Sequence, residues 1–253
     1  MSEDRVPERS ESSDLTPPPP EPSASELLGA ALGGAARSAG LDPNSDASTG
    51  RVVWTAMGGW RGVVESVLPS LTFVLAFTLT YDPDAGTGNL PLSLGLSVGL
   101  AVVFTVIRLA TKSPPGPAIS GLIATVAAAA LALFTGRAED NFIPGFVTNV
   151  LYGSAFLVSA LIGWSLIGLA VGFLMGEGTA WRKDKRKRRV FFWLAIAWAA
   201  LFAARLAVQV PLYLSGDVTA LGTVKLIMGL PLFAPMVAVN WLAVRALYPT
   251  QKA

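Results

Sequence analysis

The chain of 253 residues contains no cysteine and no histidine, and only 14% of its residues are charged. The absence of cysteine excludes disulfides, iron–sulfur centres, thiolate zinc sites and thiol nucleophiles. The absence of histidine removes the commonest metal ligand and the commonest general base. A soluble domain carries about 25% charged residues on average. With 52% apolar residues, the composition therefore indicates an integral membrane protein.

Residues 1–50 form an acidic tail with nine acids and three arginines, whereas residues 51–253 carry eight acids and sixteen basic residues. Seven of the eighteen prolines lie in this tail, and four of them are consecutive from Pro17 to Pro20. Such a segment cannot bury enough apolar surface to offset the entropy of ordering, so we expect a disordered cytoplasmic tail. Within it, residues 25–37 can form a short helix, which either docks on a partner protein or is a plain linker.

Six apolar stretches are long enough to cross a bilayer, which takes roughly 20 residues of α helix. They are residues 63–81, 90–110, 117–135, 146–175, 190–214 and 221–247. We predict an all-α bundle of about six transmembrane helices over residues 51–248, with a short tail at 249–253. Because no basic segment leads into an early apolar run, we expect the first span to act as its own insertion signal.

The fourth stretch is unusually long. Its 30 residues would extend about 45 Å as one helix, against a hydrocarbon core of about 30 Å. The stretch either tilts or breaks near Gly163. We expect the span to end there and a shallow segment to follow.

Basic residues predict the orientation of the bundle. Seven of them follow the fourth stretch: Arg182, Lys183, Lys185, Arg186, Lys187, Arg188 and Arg189. Arg108, Lys112, Arg245 and Lys252 fall on the same side, and the other three loops contain one basic residue, Arg137. We therefore expect a multi-pass plasma-membrane protein with both termini in the cytoplasm. The basic loop lacks interleaved aromatic residues, so we expect contact with anionic lipid headgroups and no nucleic acid.

Polar residues within or beside the spans are candidates for a site, because ionisable groups are costly in a membrane. The candidate cluster, predicted for the outer half, comprises Arg137, Glu139, Asp140, Asn149, Tyr152, Arg205, Gln209 and Lys225. We expect Glu139 or Asp140 to be the counter-ion of Arg205 or Lys225. Such pairs either form a binding site or only lock the bundle together. Glu65 and Arg108 are not part of this cluster, because they are predicted near the inner ends of the first and second spans.

The positions of polar residues, prolines and glycines within the spans indicate how the helices bend and pack. Asn149, Tyr152, Phe156, Ser159 and Gly163 recur every three or four residues, which predicts one partly polar helix face. Prolines at positions 69, 211, 231 and 235 can kink their helices. Glycines four residues apart, at 95 and 99 and at 168, 172 and 176, favour close helix contacts.

Four segments resemble an actinobacterial family of multi-pass membrane proteins, domain of unknown function 3159. They read MGGWRGVVESVLPSLTFVLAF, TGRAEDNFIPGF, RLAVQVPLYL and LGTVKLIMGLPL, and the resemblance covers residues 56–248. It implies a membrane topology and no particular activity.

A more distant resemblance is to the intracellular septation protein A family of bacterial inner-membrane proteins. It rests on Leu68-Pro69 and Tyr81-Asp82 in the first span, a Trp-rich segment LAIAWAALF, and the following residues: Asp140, Asn141, Phe142, Ile143, Lys225 and Gly229. This resemblance implies a role in envelope maintenance or septation through partner proteins. The acidic tail, the long basic loop, Arg137 and Arg205 depart from that family.

Three classes of function follow. The first, which we expect, is a non-enzymatic protein that supports the cell envelope or septation through partner contacts, with the tail and the basic loop as contact surfaces. The second is a small transporter or channel for an ion or polar metabolite that uses the candidate cluster. The third, a lipid-modifying enzyme, is disfavoured because histidine, cysteine and clustered acids are lacking. We expect no enzyme activity, no cofactor and no metal site.

Overall fold

The computed structural model describes residues 51, 54, 59–111 and 116–248, and this part of the chain is helical. Its helices are α1 (Gly59–Leu79), α2 (Leu90–Ala110), α3 (Gly116–Thr135), α4 (Ile143–Leu161), α5 (Leu166–Leu174), α6 (Lys185–Leu214), α7 (Val218–Ile227) and α8 (Leu230–Leu247). Short 3₁₀ helices at Ala138–Phe142 and Ala180–Lys183 precede α4 and α6. The predictions for the two tails, for the helix at 25–37, and for Lys112 and Lys252 fall outside the described residues.

Six helical segments of the described chain are long and apolar enough to cross a membrane. They are Gly59–Leu79, Leu90–Ala110, Ala118–Thr135, Ala138–Leu161, Lys185–Leu214 and Val218–Leu247. For the described residues this confirms the predicted all-α architecture and its six segments that are long and apolar enough to span a membrane. Large apolar side chains cover the outside of the bundle, where Phe134 is 92% exposed. A lipid environment would cover these side chains.

The fifth span begins five residues earlier than its apolar stretch. Asp184 precedes α6 and accepts hydrogen bonds from the backbone N–H groups of Arg186 and Lys187. This N-cap lets the helix start at Lys185. Five of the seven basic residues thus have fixed helical positions on α6 and do not lie in a loop. We call the end of the bundle that carries residues 182–189 the basic end.

The fourth stretch is divided into two helices. α4 ends at Leu161, Gly163 adopts a φ of +74°, and α5 begins at Leu166. The Ser165 hydroxyl accepts a hydrogen bond from Gly168 N and donates one to the carbonyl of Phe191. α5 has nine residues, about 13 Å, and is therefore too short to cross a bilayer.

Two of the predicted glycine contacts form around this short helix. Gly168 and Gly172 pack against the indole of Trp181, which is 1% exposed and folds back from the second 3₁₀ helix. A Cβ at either glycine would collide with that ring. Gly95 and Gly99 on α2, in contrast, have nothing within 4 Å of where a Cβ would stand, so the contact predicted for them is absent.

The sixth stretch is also discontinuous, although its apolar pattern predicts one continuous helix. α7 ends at Ile227 and α8 begins at Leu230, with Gly229 between them. Pro231 stands in the first turn of α8, where its missing N–H breaks no helical hydrogen bond. Pro69, Pro211 and Pro235 lie inside α1, α6 and α8.

The interior consists of two apolar clusters. One joins α4, α5, α6 and α8 through rings such as those of Trp181, Phe191, Trp198 and Phe202. The other joins α1, α2, α3, α7 and the first 3₁₀ helix through Phe73, Phe77, Leu94, Phe142 and Leu221. The tightest approach in the second cluster is at Gly222, where a Cβ would overlap Val74.

Candidate functional site

An open cavity of about 640 Å³ lies at the end of the bundle opposite the basic end. Its lining comes from the C-terminal end of α1, three connecting segments and the start of α7. The polar side chains there include Thr78, Tyr81, Thr87, Arg137, Glu139 and Asp217. Thr78 and Thr219 share a hydrogen bond of 2.9 Å, which joins α1 to α7 at the rim.

Arg137 and Glu139 of the candidate cluster pair with each other at this cavity. Arg137 Nε donates to Glu139 Oε1 over 2.8 Å, and this hydrogen bond raises the pKa of Arg137 above its ordinary value. The guanidinium also lies 5.7 Å from the ring centre of Tyr213. The Tyr213 hydroxyl donates a hydrogen bond of 2.6 Å to Asp140, which is 4% exposed.

The predicted pairing of Glu139 or Asp140 with Arg205 or Lys225 is therefore wrong. Within the described residues, neither Arg205 nor Lys225 forms an ion pair. For Arg205 the reason is depth in the bundle. The two acids lie on the first 3₁₀ helix beside Tyr213, and Arg205 precedes Tyr213 by eight residues of α6, about 12 Å along the helix.

Arg205, Gln209 and Lys225 instead present hydrogen-bond donors for which the described residues supply no acceptor, and we call these three side chains the donor cluster. Arg205 Nε and Gln209 Nε2 are buried and have no hydrogen-bond partner among the described residues. Lys225 Nζ lies 5.0 Å from the ring centre of Phe142, and α7, which carries Lys225, packs against α6. Both cations thus lie inside the spanning region, on two helices that are in contact.

The partly polar face of α4 is the surface that packs against α6. The rings of Tyr152 and Phe202 are 5.9 Å apart, and those of Phe156 and Trp198 are 5.8 Å apart. The same antiparallel register places the buried Asn149 at the level of Arg205. Ser159 Oγ accepts from Leu166 N and so helps to hold the break between α4 and α5.

Glu65 and Arg108 are brought together, with a third charge that the sequence analysis missed. Glu65 Oε2 accepts from Arg108 over 2.8 Å, and Glu65 Oε1 accepts from Arg61 Nε over 2.7 Å. The four-residue spacing of Arg61 and Glu65 on a helix is the signal that would have revealed it. This group borders a second cavity of about 430 Å³ between α1, α2 and α3.

The basic end contains a second group that the sequence analysis missed. Glu177 accepts from Lys187 Nζ over 2.6 Å and from the hydroxyl of Tyr248 over 2.8 Å. Burial and the hydrogen bond to Glu177 raise the pKa of Tyr248 above its ordinary value. These contacts place the end of α8 beside the basic residues. Arg182 lies 3.9 Å from the ring centre of Trp164.

The described part of the chain contains no group of three or more acidic, histidine or cysteine residues that could hold a metal ion. The polar and charged groups of the described residues thus lie at three levels: a polar cavity at one end, the donor cluster within the spanning region, and exposed cations at the basic end.

Comparison with curated proteins and with solved structures gives no match. Residues 57–251 match a family described as protein of unknown function (DUF3159). This match covers the whole of the spanning region, including the open cavity, the donor cluster and the basic residues. The chain is therefore a multi-pass membrane protein that belongs to the DUF3159 family.

Proposed function

We propose that this protein is a non-enzymatic carrier for a small anion, which binds at the donor cluster. The observation that supports the proposal is that Arg205 and Lys225, two cations on packed helices of the spanning region, form no ion pair with the described residues. Removing charges from water costs several kcal/mol each unless a partner compensates, and like charges add repulsion. An anion would neutralise both side chains at once.

The hydrogen-bonding groups favour an anion over a cation or a neutral molecule. Arg205 and Lys225 can only donate, and Gln209 presents its amide nitrogen without an acceptor. Lys225 gains partial compensation from the last-turn carbonyls of α7 and from the ring of Phe142. Arg205 lacks an ion pair within the described residues, so it is the residue we expect to contact the anion most directly.

A stripe of polar side chains supports a path from the open cavity to the donor cluster. Arg205, Gln209 and Tyr213 follow one another every four residues on α6 and share a face. Tyr213 contacts both Asp140 and Arg137 at the cavity. The break at Gly229, one turn after Lys225, adds a discontinuous helix beside the cluster, a feature common in transporters.

The positive-inside rule also supports a proposed orientation of the bundle in the membrane. The basic end would face the cytoplasm of a plasma membrane, and the open cavity would face the exterior. In this orientation the cavity collects the anion from outside the cell.

Flux through purified full-length protein in liposomes tests the proposal. We would supply chloride, nitrate, sulfate, phosphate and acetate separately and compare wild type with Arg205→Leu and Lys225→Gln. We expect uptake of at least one anion, reduced about tenfold or more in both variants. The matched control is Arg245→Gln, which removes an exposed cation from the last turn of α8.

Unfolding of the same variants separates a binding site from a scaffold. Loss of one partner of a buried ion pair costs about 3–5 kcal/mol, but Arg205 has no such partner here. We therefore expect Arg205→Leu to leave stability unchanged or to increase it. No uptake of any of the five anions by wild type, or equal loss in the Arg245→Gln control, would refute the proposal.

A second candidate is a non-enzymatic role in envelope maintenance or septation, through contacts with partner proteins. It is supported by the concentration of positive charge at the basic end and by the resemblance to the septation protein A family. The acidic tail of residues 1–50 would supply a further contact surface. Cells that carry a chain without residues 1–50 should then show an envelope defect although the protein still inserts. Normal growth of such cells would count against tail docking.

A further inference from the structure

A third cavity, of about 400 Å³, lies at the basic end between the α4–α5 break and the first turns of α6. Lys185, Arg188 and Arg189 line it, and so do Ala160, Leu161 and Phe192. The basic residues and Phe192 recur at helical spacing and therefore share a face of α6. The cavity thus combines three cations with an apolar wall.

The three cavity cations are available to a ligand. Within the described residues, none of them forms an ion pair. The nearest acids along the chain are already engaged, since Glu177 binds Lys187 and Tyr248, and Asp184 caps α6. Three positive charges therefore remain without compensation on one small surface.

The backbone around the cavity is held firmly. Trp181, which also lines it, is wedged against Gly168 and Gly172 and meets the ring of Phe191 edge to face at 5.4 Å. Ser165 Oγ donates to the Phe191 carbonyl over 2.8 Å. A site on such a rigid base loses little entropy when a ligand binds.

We infer that this cavity binds the phosphate group of an anionic phospholipid. The cations would hold the phosphate, as basic pockets between membrane helices do. The apolar wall continues into the lipid-facing surface, where Leu161 and Ile162 are exposed and would contact an acyl chain. A free phosphate ion would satisfy the cations but would leave the apolar wall uncovered. This site is separate from the donor cluster and does not depend on the proposed transport.

The test is a titration of the full chain in detergent micelles with dioctanoyl phosphatidylglycerol, with bound lipid counted by native mass spectrometry. The Arg188→Gln/Arg189→Gln double variant should bind this lipid about tenfold or more weakly than wild type. The matched control is Lys183→Gln/Arg186→Gln, which removes two charges of the same loop and helix that do not line the cavity. We expect it to weaken binding less than about threefold.

Phosphatidylcholine and inorganic phosphate test whether the cavity selects an anionic lipid. Unfolding temperatures check that all variants are folded. Dioctanoyl phosphatidylcholine should bind much more weakly than the anionic lipid, and equimolar inorganic phosphate should not displace that lipid. Equal weakening by both double variants would mean a diffuse surface charge and would overturn the inference. Displacement by inorganic phosphate, or equal binding of phosphatidylcholine, would overturn it as well.

Discussion

Tyr213 and Asp140 are 73 residues apart in the chain and are joined by a hydrogen bond of 2.6 Å. The bond ties the end of α6 to the 3₁₀ helix that precedes α4. It also occupies the acid that the sequence would assign as a counter-ion to Arg205 or Lys225.

The Tyr213→Phe substitution tests the structural value of that bond. It removes the Tyr213 donor from the buried Asp140, so we expect the free energy of unfolding to fall by about 1–3 kcal/mol. Tryptophan fluorescence during denaturation in detergent can measure this, since the chain has seven tryptophans. Tyr152→Phe is the control, because Tyr152 is 56% exposed; we expect a change within about 0.5 kcal/mol. Equal effects of the two substitutions would contradict the prediction.

Two glutamates in ion pairs should differ strongly in their contribution to stability. Glu65 is 12% exposed and compensates both Arg61 and Arg108, so Glu65→Gln should cost about 3 kcal/mol. Glu139 pairs with Arg137, which is 55% exposed, so Glu139→Gln should cost less than about 1 kcal/mol. Chemical denaturation of both variants measures the difference. A Glu65→Gln protein as stable as Glu139→Gln would contradict the assigned role of Glu65.

The substitution of alanine at two helical glycines should have opposite effects. At Gly172 a Cβ would collide with the Gly178 carbonyl oxygen and come within 2.6 Å of the Trp181 ring, and such overpacking costs about 1–3 kcal/mol. At Gly95 the added methyl group meets nothing within 4 Å, so alanine should be neutral or stabilising by up to about 1 kcal/mol. Thermal unfolding of the two variants is the measurement. Destabilisation by Gly95→Ala as large as that by Gly172→Ala would argue against the Trp181 contact.

Stability at high pH should depend on Tyr248. Burial and Glu177 raise the pKa of its hydroxyl in the folded protein. Because this pKa is raised in the folded state, the contribution of Tyr248 to the free energy of unfolding is complete below the ordinary tyrosine pKa of about 10. It is lost as the pH rises above that value. Wild type should therefore lose more stability than Tyr248→Phe between about pH 9 and pH 12. Parallel pH profiles of the two proteins would contradict the prediction.

The proposed orientation can be tested with single cysteines, because the chain contains none. A membrane-impermeant maleimide should label Thr87→Cys, at the open cavity, in intact cells. It should label Lys183→Cys, at the basic end, only after the membrane is permeabilised. The opposite labelling pattern would reverse the orientation and place the open cavity in the cytoplasm.

The six spans followed directly from the sequence, and the physical reason is local. Whether a segment can enter a bilayer depends on its own length and hydropathy, so the stretch at residues 90–110 corresponds to α2 residue for residue. The basic residues at 182–189 were equally evident. The start of the fifth span was not evident, because hydropathy alone assigns the charged residues before it to a loop. In the structure Asp184 caps the helix, which therefore includes those charged residues.

Charge pairing was decided only by the tertiary structure. Which acid meets which cation depends on the depth and the facing surfaces of helices far apart in sequence, so Glu139 paired with Arg137 and Asp140 with Tyr213. Likewise, the break at Gly229 interrupts an apolar run that satisfies every compositional requirement for one helix. The sequence by itself thus determined the number of spans, while helix packing decided that Arg205 and Lys225 would lie on two packed helices without an ion-pair partner among the described residues.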